Sequence, residues 1–259
     1  MCTVTFLPSD SGFLLTSNRD ERMLRARTDP PRLNTLEGTQ LWFPRDLDSG
    51  STWIATSAIG WSLCLLNGAF EKHISNPPYR QSRGKVILDF FSFNGLSAFQ
   101  KGYSLEGIEP FTLVLVKNEK RVEELWELKW DGKETHWKNL NPDQPRIWSS
   151  ATLYTAEDQK LRESWFEDWM LHHPGKKNQA SILDFHLNAG ADNRNLGLVM
   201  DQGNDRQTIS ITSIEWEGKS GQMVYQDLVS KTSYWESLSN PEPNLSMKYL
   251  NESHLKSNI

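Results

Sequence analysis

The stretch that most constrains this chain is its opening, from Met1 to Glu21. Two apolar, β-branched runs, Thr3 to Leu7 and Phe13 to Ser17, flank Pro8-Ser9-Asp10-Ser11-Gly12, a turn-forming composition that predicts a β-hairpin with a short Gly-bearing loop. With Leu7 opposite Phe13, antiparallel pairing sets Thr5 opposite Leu15, Thr3 opposite Ser17 and Cys2 opposite Asn18. A thiol is then expected to meet the run Asn18-Arg19-Asp20-Glu21.

The residue types in that run point to nucleophilic chemistry. A small residue after an initiator Met generally permits removal of the Met, which would leave Cys2 with a free α-amine beside its own sulfur. An α-amine titrates near ~8 and a free thiol near ~8.5, so the amine can serve as general base for the thiol at neutral pH. One residue then supplies both attacking atom and base. The guanidinium of Arg19 would favour the thiolate, and the Asp20 carboxylate could hold the amine. The alternative is plainer: Cys2 is an incidental small residue at a strand start, and the charged run is a solvated turn.

The opening Met1-Cys2-Thr3 followed by Ser17-Asn18-Arg19-Asp20-Glu21 resembles the NRDE family, also called the transport-and-Golgi-organisation family. Further patches agree: Ser49-Gly50-Ser51-Thr52-Trp53-Ile54, Leu66-Asn67-Gly68, Ser82-Arg83-Gly84 and Phe111-Thr112-Leu113-Val114-Leu115-Val116. The resemblance implies an α+β fold of the N-terminal nucleophile hydrolase type, a four-layer αββα sandwich distantly similar to bile salt hydrolases and penicillin V acylases. Members of the family have been linked to Golgi organisation and to haem or lipid handling. The related acylases place an Asn of the oxyanion hole at a strand end matching Asn67, which makes its amide a candidate donor to a developing oxyanion. Read locally, Asn67-Gly68 is equally a plain turn. Where the family pattern carries an Asn after Ser149, this chain has Ser150, whose hydroxyl donates one hydrogen where an amide donates two. Arg206 is the nearest match to an arginine beside the acylase site, and its other reading is an exposed turn residue. The resemblance thus marks Cys2, Arg19, Asp20 and Asn67 as catalytic candidates and Asn18, Glu21, Ser150 and Arg206 as binding candidates.

Length and charge bound the rest. A chain of 259 residues with 37% hydrophobic content can bury one large core. The expected division is a single domain over residues 1–236 and a flexible Asn-, Ser- and Pro-rich tail over 237–259. A net charge of −5 offers no general attraction to nucleic acid. No apolar run approaches the ~18 residues of a membrane span, and no signal peptide is evident, so a cytoplasmic protein without membrane insertion is expected. The two cysteines make no disulfide scaffold, and Cys64 reads as a buried small hydrophobe. No metal-ligand spacing occurs, and no cofactor is expected.

Along the chain, Arg22 to Arg32 reads as a basic, Pro-broken loop that could form an electropositive mouth for an anionic substrate or a carboxylate product. Strands are predicted at Thr52 to Thr56 and Trp61 to Leu66. A helix is predicted from an N-cap at Ser82 to about Gln100, with Val86, Ile87, Phe90, Phe91 and Phe93 as its buried face. A meander follows at Phe111 to Lys117, Glu123 to Trp130 and Thr135 to Leu140. Thr155 to Asp158 resembles a capping box that opens a helix carrying Leu161, Trp165 and Trp169 on one face, and a second helix covers Gln179 to Asn188. The return to β structure is expected at Gly197 to Met200, Gln207 to Glu215 and Gln222 to Leu228. The favoured function is a cysteine amidohydrolase or acyltransferase acting on an amide or acyl small molecule. The competing one is a non-catalytic carrier that binds haem or an acyl lipid in the same cleft.

Overall fold

The computed structural model describes residues 3–22, 28–119, 121–175, 177–203 and 206–239. These form two antiparallel sheets and four helices. One sheet joins β1 (Thr3–Ser9), β2 (Gly12–Arg22), β10 (Arg146–Ser149), β11 (Arg206–Glu217), β12 (Ser220–Asp227) and β13 (Thr232–Ser239), in the order β10-β1-β2-β11-β12-β13. The other runs in sequence order from β3 (Thr28–Leu36) and β4 (Thr39–Asp46) through β5 (Ile54–Ser57) and β6 (Trp61–Asn67) to β7 (Phe111–Asn118), β8 (Val122–Trp130) and β9 (Thr135–Leu140).

Strand alternation decides the layers. Val4, Phe6, Phe13 and Leu15 of the first sheet pack against Cys64, Leu66, Val114 and Val116 of the second, forming the core between the sheets. Their neighbours Leu7 and Leu14 face the other way, onto α3 (Ala156–His172) and α4 (Gln179–Asn188). Leu63, Leu65, Leu113 and Leu115 likewise face α1 (Lys85–Phe90) and α2 (Leu96–Gly102). Both faces of each central strand are therefore buried, which is why these strands read as nearly continuous apolar runs. The result is the expected αββα sandwich.

Several local expectations shift. The hairpin turns through Asp10 and Ser11 alone, with Ser9 opposite Gly12, so Leu7 meets Leu14 and Thr3 meets Asn18, one residue out from the predicted register. Gly12 belongs to the strand, paired with Ser9 and Glu217, and must be glycine there because a Cβ would lie 1.8 Å from the Trp216 carbonyl oxygen. Instead of a loop continuing to Arg32, residues from Thr28 onward form the edge strand β3, where Pro30 and Pro31 sit at a bulge and cost no ladder bond. The predicted basic mouth falls partly on residues 23–27, outside the described residues. The helix expected from Ser82 starts at Lys85 on an N-cap of Gly84 and is broken before Leu96 by Gly95, whose φ of 81° suits glycine.

On α3 the Thr155–Asp158 capping box forms as read, but the buried stripe is Arg162, Phe166 and Trp169 while Leu161 is exposed. A fully buried arginine, one residue on from Leu161, takes the place in the stripe that the pattern gave to that leucine. Gly197 to Met200 forms no strand, since Leu198 and Met200 are bound individually by Asn18 and Thr208. β13 runs to Ser239, so residues 237–239 belong to the sheet; the tail from 240 lies outside the described residues.

Candidate active site

A narrow cleft of about 70 Å³ opens between the sheets near the end of β2. Arg19, Glu21, Asp46, Ser51, Asn67 and Arg83 are among its walls. Arg19 is held from three directions. Its Nη2 donates to Asp46 Oδ2 at 2.5 Å and its Nη1 to Thr28 Oγ1 at 2.8 Å, while the guanidinium lies 4.5 Å from the Trp53 ring centre. The second Asp46 oxygen accepts from the backbone N–H of Asp48 at 3.1 Å, from that of Ser49 at 2.9 Å and from the Ser49 hydroxyl at 3.0 Å. A carboxylate held by so many donors fixes the guanidinium plane. Arg19 therefore enters the cleft as an oriented donor whose charge is largely balanced.

The same network accounts for two of the sequence patches. Ser49 Oγ lies 2.6 Å from Ser51 Oγ, which lies 3.3 Å from Ser82 Oγ. Gly84 packs against them so closely that a Cβ would come within 2.3 Å of the Thr52 carbonyl oxygen and 2.5 Å of Ser51 Oγ. The glycine of Ser82-Arg83-Gly84 is thus a close-approach requirement.

Asn67 ends β6 at the cleft, and its side-chain amide makes no hydrogen bond among the described residues. Its backbone carbonyl accepts from the Ser150 hydroxyl at 2.8 Å, and Ser150 also bonds Thr152 Oγ1 at 2.9 Å. Ser150 is fully buried and fastens the loop after β10 to the end of β6, joining the two sheets.

The Asn-Arg-Asp-Glu run divides between two faces. Arg19 and Glu21 turn to the cleft, whereas Asn18 and Asp20 turn toward the α3–α4 layer. Asn18 Nδ2 donates to the carbonyls of Leu198 at 2.6 Å and His186 at 3.3 Å, leaving Oδ1 to accept from His186 Nδ1. His186 Nε2 in turn accepts from the Thr5 hydroxyl at 2.7 Å. Complete burial, with the charge of Arg162 adding to it, holds the His186 pKa down to about 3, so the ring is neutral. Asp20 accepts from the hydroxyls of Thr208 at 2.6 Å and Tyr154 at 3.1 Å. Arg206 stands opposite Arg22 at the start of β11 and does not line the cleft. Cys2 lies outside the described residues; Thr3, which follows it, pairs with Asn18 on one side and Ser149 on the other. Cys64 is a core residue whose thiol burial pushes up to about 12.

The sequence profile of Transport and Golgi organisation 2 matches residues 1–216. The chain belongs to the Transport and Golgi organisation 2 family. No curated protein matches it. Among solved structures it is similar to the Caenorhabditis elegans N-acylethanolamine-hydrolyzing acid amidase ortholog, at 13% identity and a TM-score of 0.55, over 82% of this chain and 92% of that one. It is also similar to two variants of conjugated bile acid hydrolase from Clostridium perfringens. Each is 10% identical; the TM-scores are 0.51 and 0.52, over 94% and 95% of this chain and 94% of each enzyme. At these identities the likeness establishes the N-terminal nucleophile hydrolase fold.

Within that fold, this member of the Transport and Golgi organisation 2 family uses residues that the sequence reading passed over. Asp46 precedes Leu47-Asp48-Ser49-Gly50 and reads as an Asp opening a turn, a role it does fill with one oxygen while the other takes Arg19. Tyr154 and Thr208 gave no signal, because hydroxyls that bind a buried carboxylate look like any strand or loop hydroxyl. Among the described residues no cluster of three or more His, Cys, Asp or Glu could hold a metal ion, and no helix is long and apolar enough to cross a membrane.

Proposed function

We propose that the protein is an N-terminal cysteine hydrolase or acyltransferase acting on a small amide. In this reading the Cys2 sulfur adds to the acyl carbon while its proton passes to the α-amine of the same residue. The C–N bond then breaks, the amine returns the proton to the leaving nitrogen, and water or an acceptor amine resolves the thioester. The Asn67 amide and the Arg19 guanidinium supply oriented donors to the charge that develops on the acyl oxygen.

The observation that carries this reading is the pairing, in one cleft, of an immobilised guanidinium with a side-chain amide that has no partner among the described residues. The fold adds support, since its solved neighbours are hydrolases of N-acylethanolamines and of conjugated bile acids, and one of those variants replaces the cysteine at its second position. The walls of the cleft, among them Arg19, Glu21, Asp46 and Arg83, are polar and charged, which suits the amide group of a substrate better than haem. The test is amine release from a panel of short N-acyl amides by the purified protein and by Cys2→Ala. Turnover by the native chain and its loss in the variant are expected; equal turnover by both removes the reading.

A further inference from the structure

We infer that Arg162, on α3, is a positioning residue that holds the start of β1 and, through Tyr154, the Asp20 carboxylate. The assignment rests on the reading of Cys2 as nucleophile, because Thr3, the residue Arg162 grips, directly follows it.

Arg162 is fully buried and is the largest side chain so enclosed among the described residues. Its Nη1 donates to Thr3 Oγ1. Its Nε donates to the Leu196 carbonyl at 3.0 Å, and Nη2 donates to the carbonyls of Leu196 and Gly197, both at 2.9 Å. The guanidinium carbon lies 3.6 Å from the centre of the Tyr154 ring, whose hydroxyl donates to Asp20. Among the described residues no carboxylate pairs with it directly. Burying a cation with only neutral acceptors is unfavourable, and a leucine in the same helical stripe, between the sheet and Phe166, would serve packing alone. The arginine sits where one grip reaches two parts of the candidate site: the strand end that follows the thiol, and the carboxylate of the Asn-Arg-Asp-Glu run.

Among the described residues, the charged and titratable groups packed around this end of β1 include Arg162 from α3, Tyr154 just before it, Arg19 and Asp20 from β2, and His186 from α4, which is neutral. Arg19 pairs directly with Asp46, whereas Arg162 meets the Asp20 carboxylate only through the Tyr154 ring and hydroxyl, so its charge has no direct counterion among the described residues. On the reading of Cys2 as nucleophile, a cation anchored at Thr3 favours the thiolate.

The probe is iodoacetamide, with Cys2 and Cys64 resolved by peptide mass and the folded state followed by circular dichroism. In Arg162→Met the rate of Cys2 alkylation at neutral pH should fall by ~10-fold and its pH midpoint rise by ~1 unit, an opposite charge being worth that much at close range. Arg162→Lys, which keeps the charge, should retain most of the shift. A folded Arg162→Met protein that labels at the native rate and midpoint overturns the assignment, whatever its melting temperature. If that variant unfolds, as exposure of Cys64 would report, Arg162→Gln serves instead; it keeps hydrogen-bond donors without the charge and should slow Cys2 labelling likewise, and native labelling there overturns the assignment equally. Native Cys2 that reacts no faster than a peptide thiol overturns the hydrolase reading and this assignment together, whereas native-like labelling in whichever variant folds overturns this one alone.

Discussion

His186 donates its Nδ1 hydrogen to Asn18 Oδ1, so the first residue of the Asn-Arg-Asp-Glu run is committed to the joint between sheet and helix. The joint is pH-dependent. A histidine titrates near ~6.5 in an unfolded chain and at about 3 here, so below ~6.5 the unfolded state binds the extra proton. Stability should therefore be full above that value and decline as pH falls toward about 3, by up to ~4–5 kcal/mol at ~1.36 kcal/mol per pKa unit. Urea unfolding between pH 7 and 4 should show a slope of about one proton that His186→Gln abolishes. An identical slope in the variant would assign the proton to another group.

The Arg19–Asp46 pair is buried on both sides, with side-chain exposures of 3% and 10%. Asp46→Ala leaves a desolvated guanidinium behind and should cost ~3–5 kcal/mol in chemical denaturation. A loss below ~1 kcal/mol would mean that the pair behaves like a surface contact.

Gly84→Ala forces a methyl onto the Thr52 carbonyl and Ser51 Oγ, and should destabilise by ~1–3 kcal/mol. Differential scanning calorimetry reads this directly as a lowered Tm. An unchanged Tm would show that the loop carrying Ser82 moves aside freely.

Asn67 and Ser150 are separable. Ser150 bonds the backbone carbonyl of Asn67, so Ser150→Ala should cost ~1–3 kcal/mol of stability by leaving that carbonyl unsatisfied. Asn67→Ala removes a side chain that bonds nothing among the described residues, and should leave Tm nearly unchanged while lowering amide turnover by ~10²–10³. The opposite pattern would make Asn67 structural and Ser150 the site residue.

Much of the fold was legible because both sheets obey strand alternation and two helices fall where expected: the Thr155–Asp158 capping box opens α3, and α4 covers Gln179–Asn188. The register of the first hairpin was not, because its turn is shorter than the Pro-to-Gly stretch that encodes it, and a one-residue slip changes every cross-strand partner. β3 was hidden by its prolines, which an edge strand tolerates and a central strand would not. Of the candidate site, Arg19 and Asn67 do meet at one cleft, while Asn18 and Asp20 turn to the helix layer because neighbours along a strand face opposite sides. Asp46 and Arg162 were illegible for a common reason: the partner that gives each its meaning is distant in sequence, at Arg19 and Thr3.

The most direct measurement is intact-mass and peptide analysis of the purified full-length chain after incubation with a thiol-reactive acyl probe. The account predicts a chain lacking Met1 that carries one acyl group on Cys2, with Cys64 unmodified until the protein is unfolded, as its buried thiol requires. A chain that keeps Met1 and takes up no acyl group, or one acylated no faster at Cys2 than at Cys64, would contradict it.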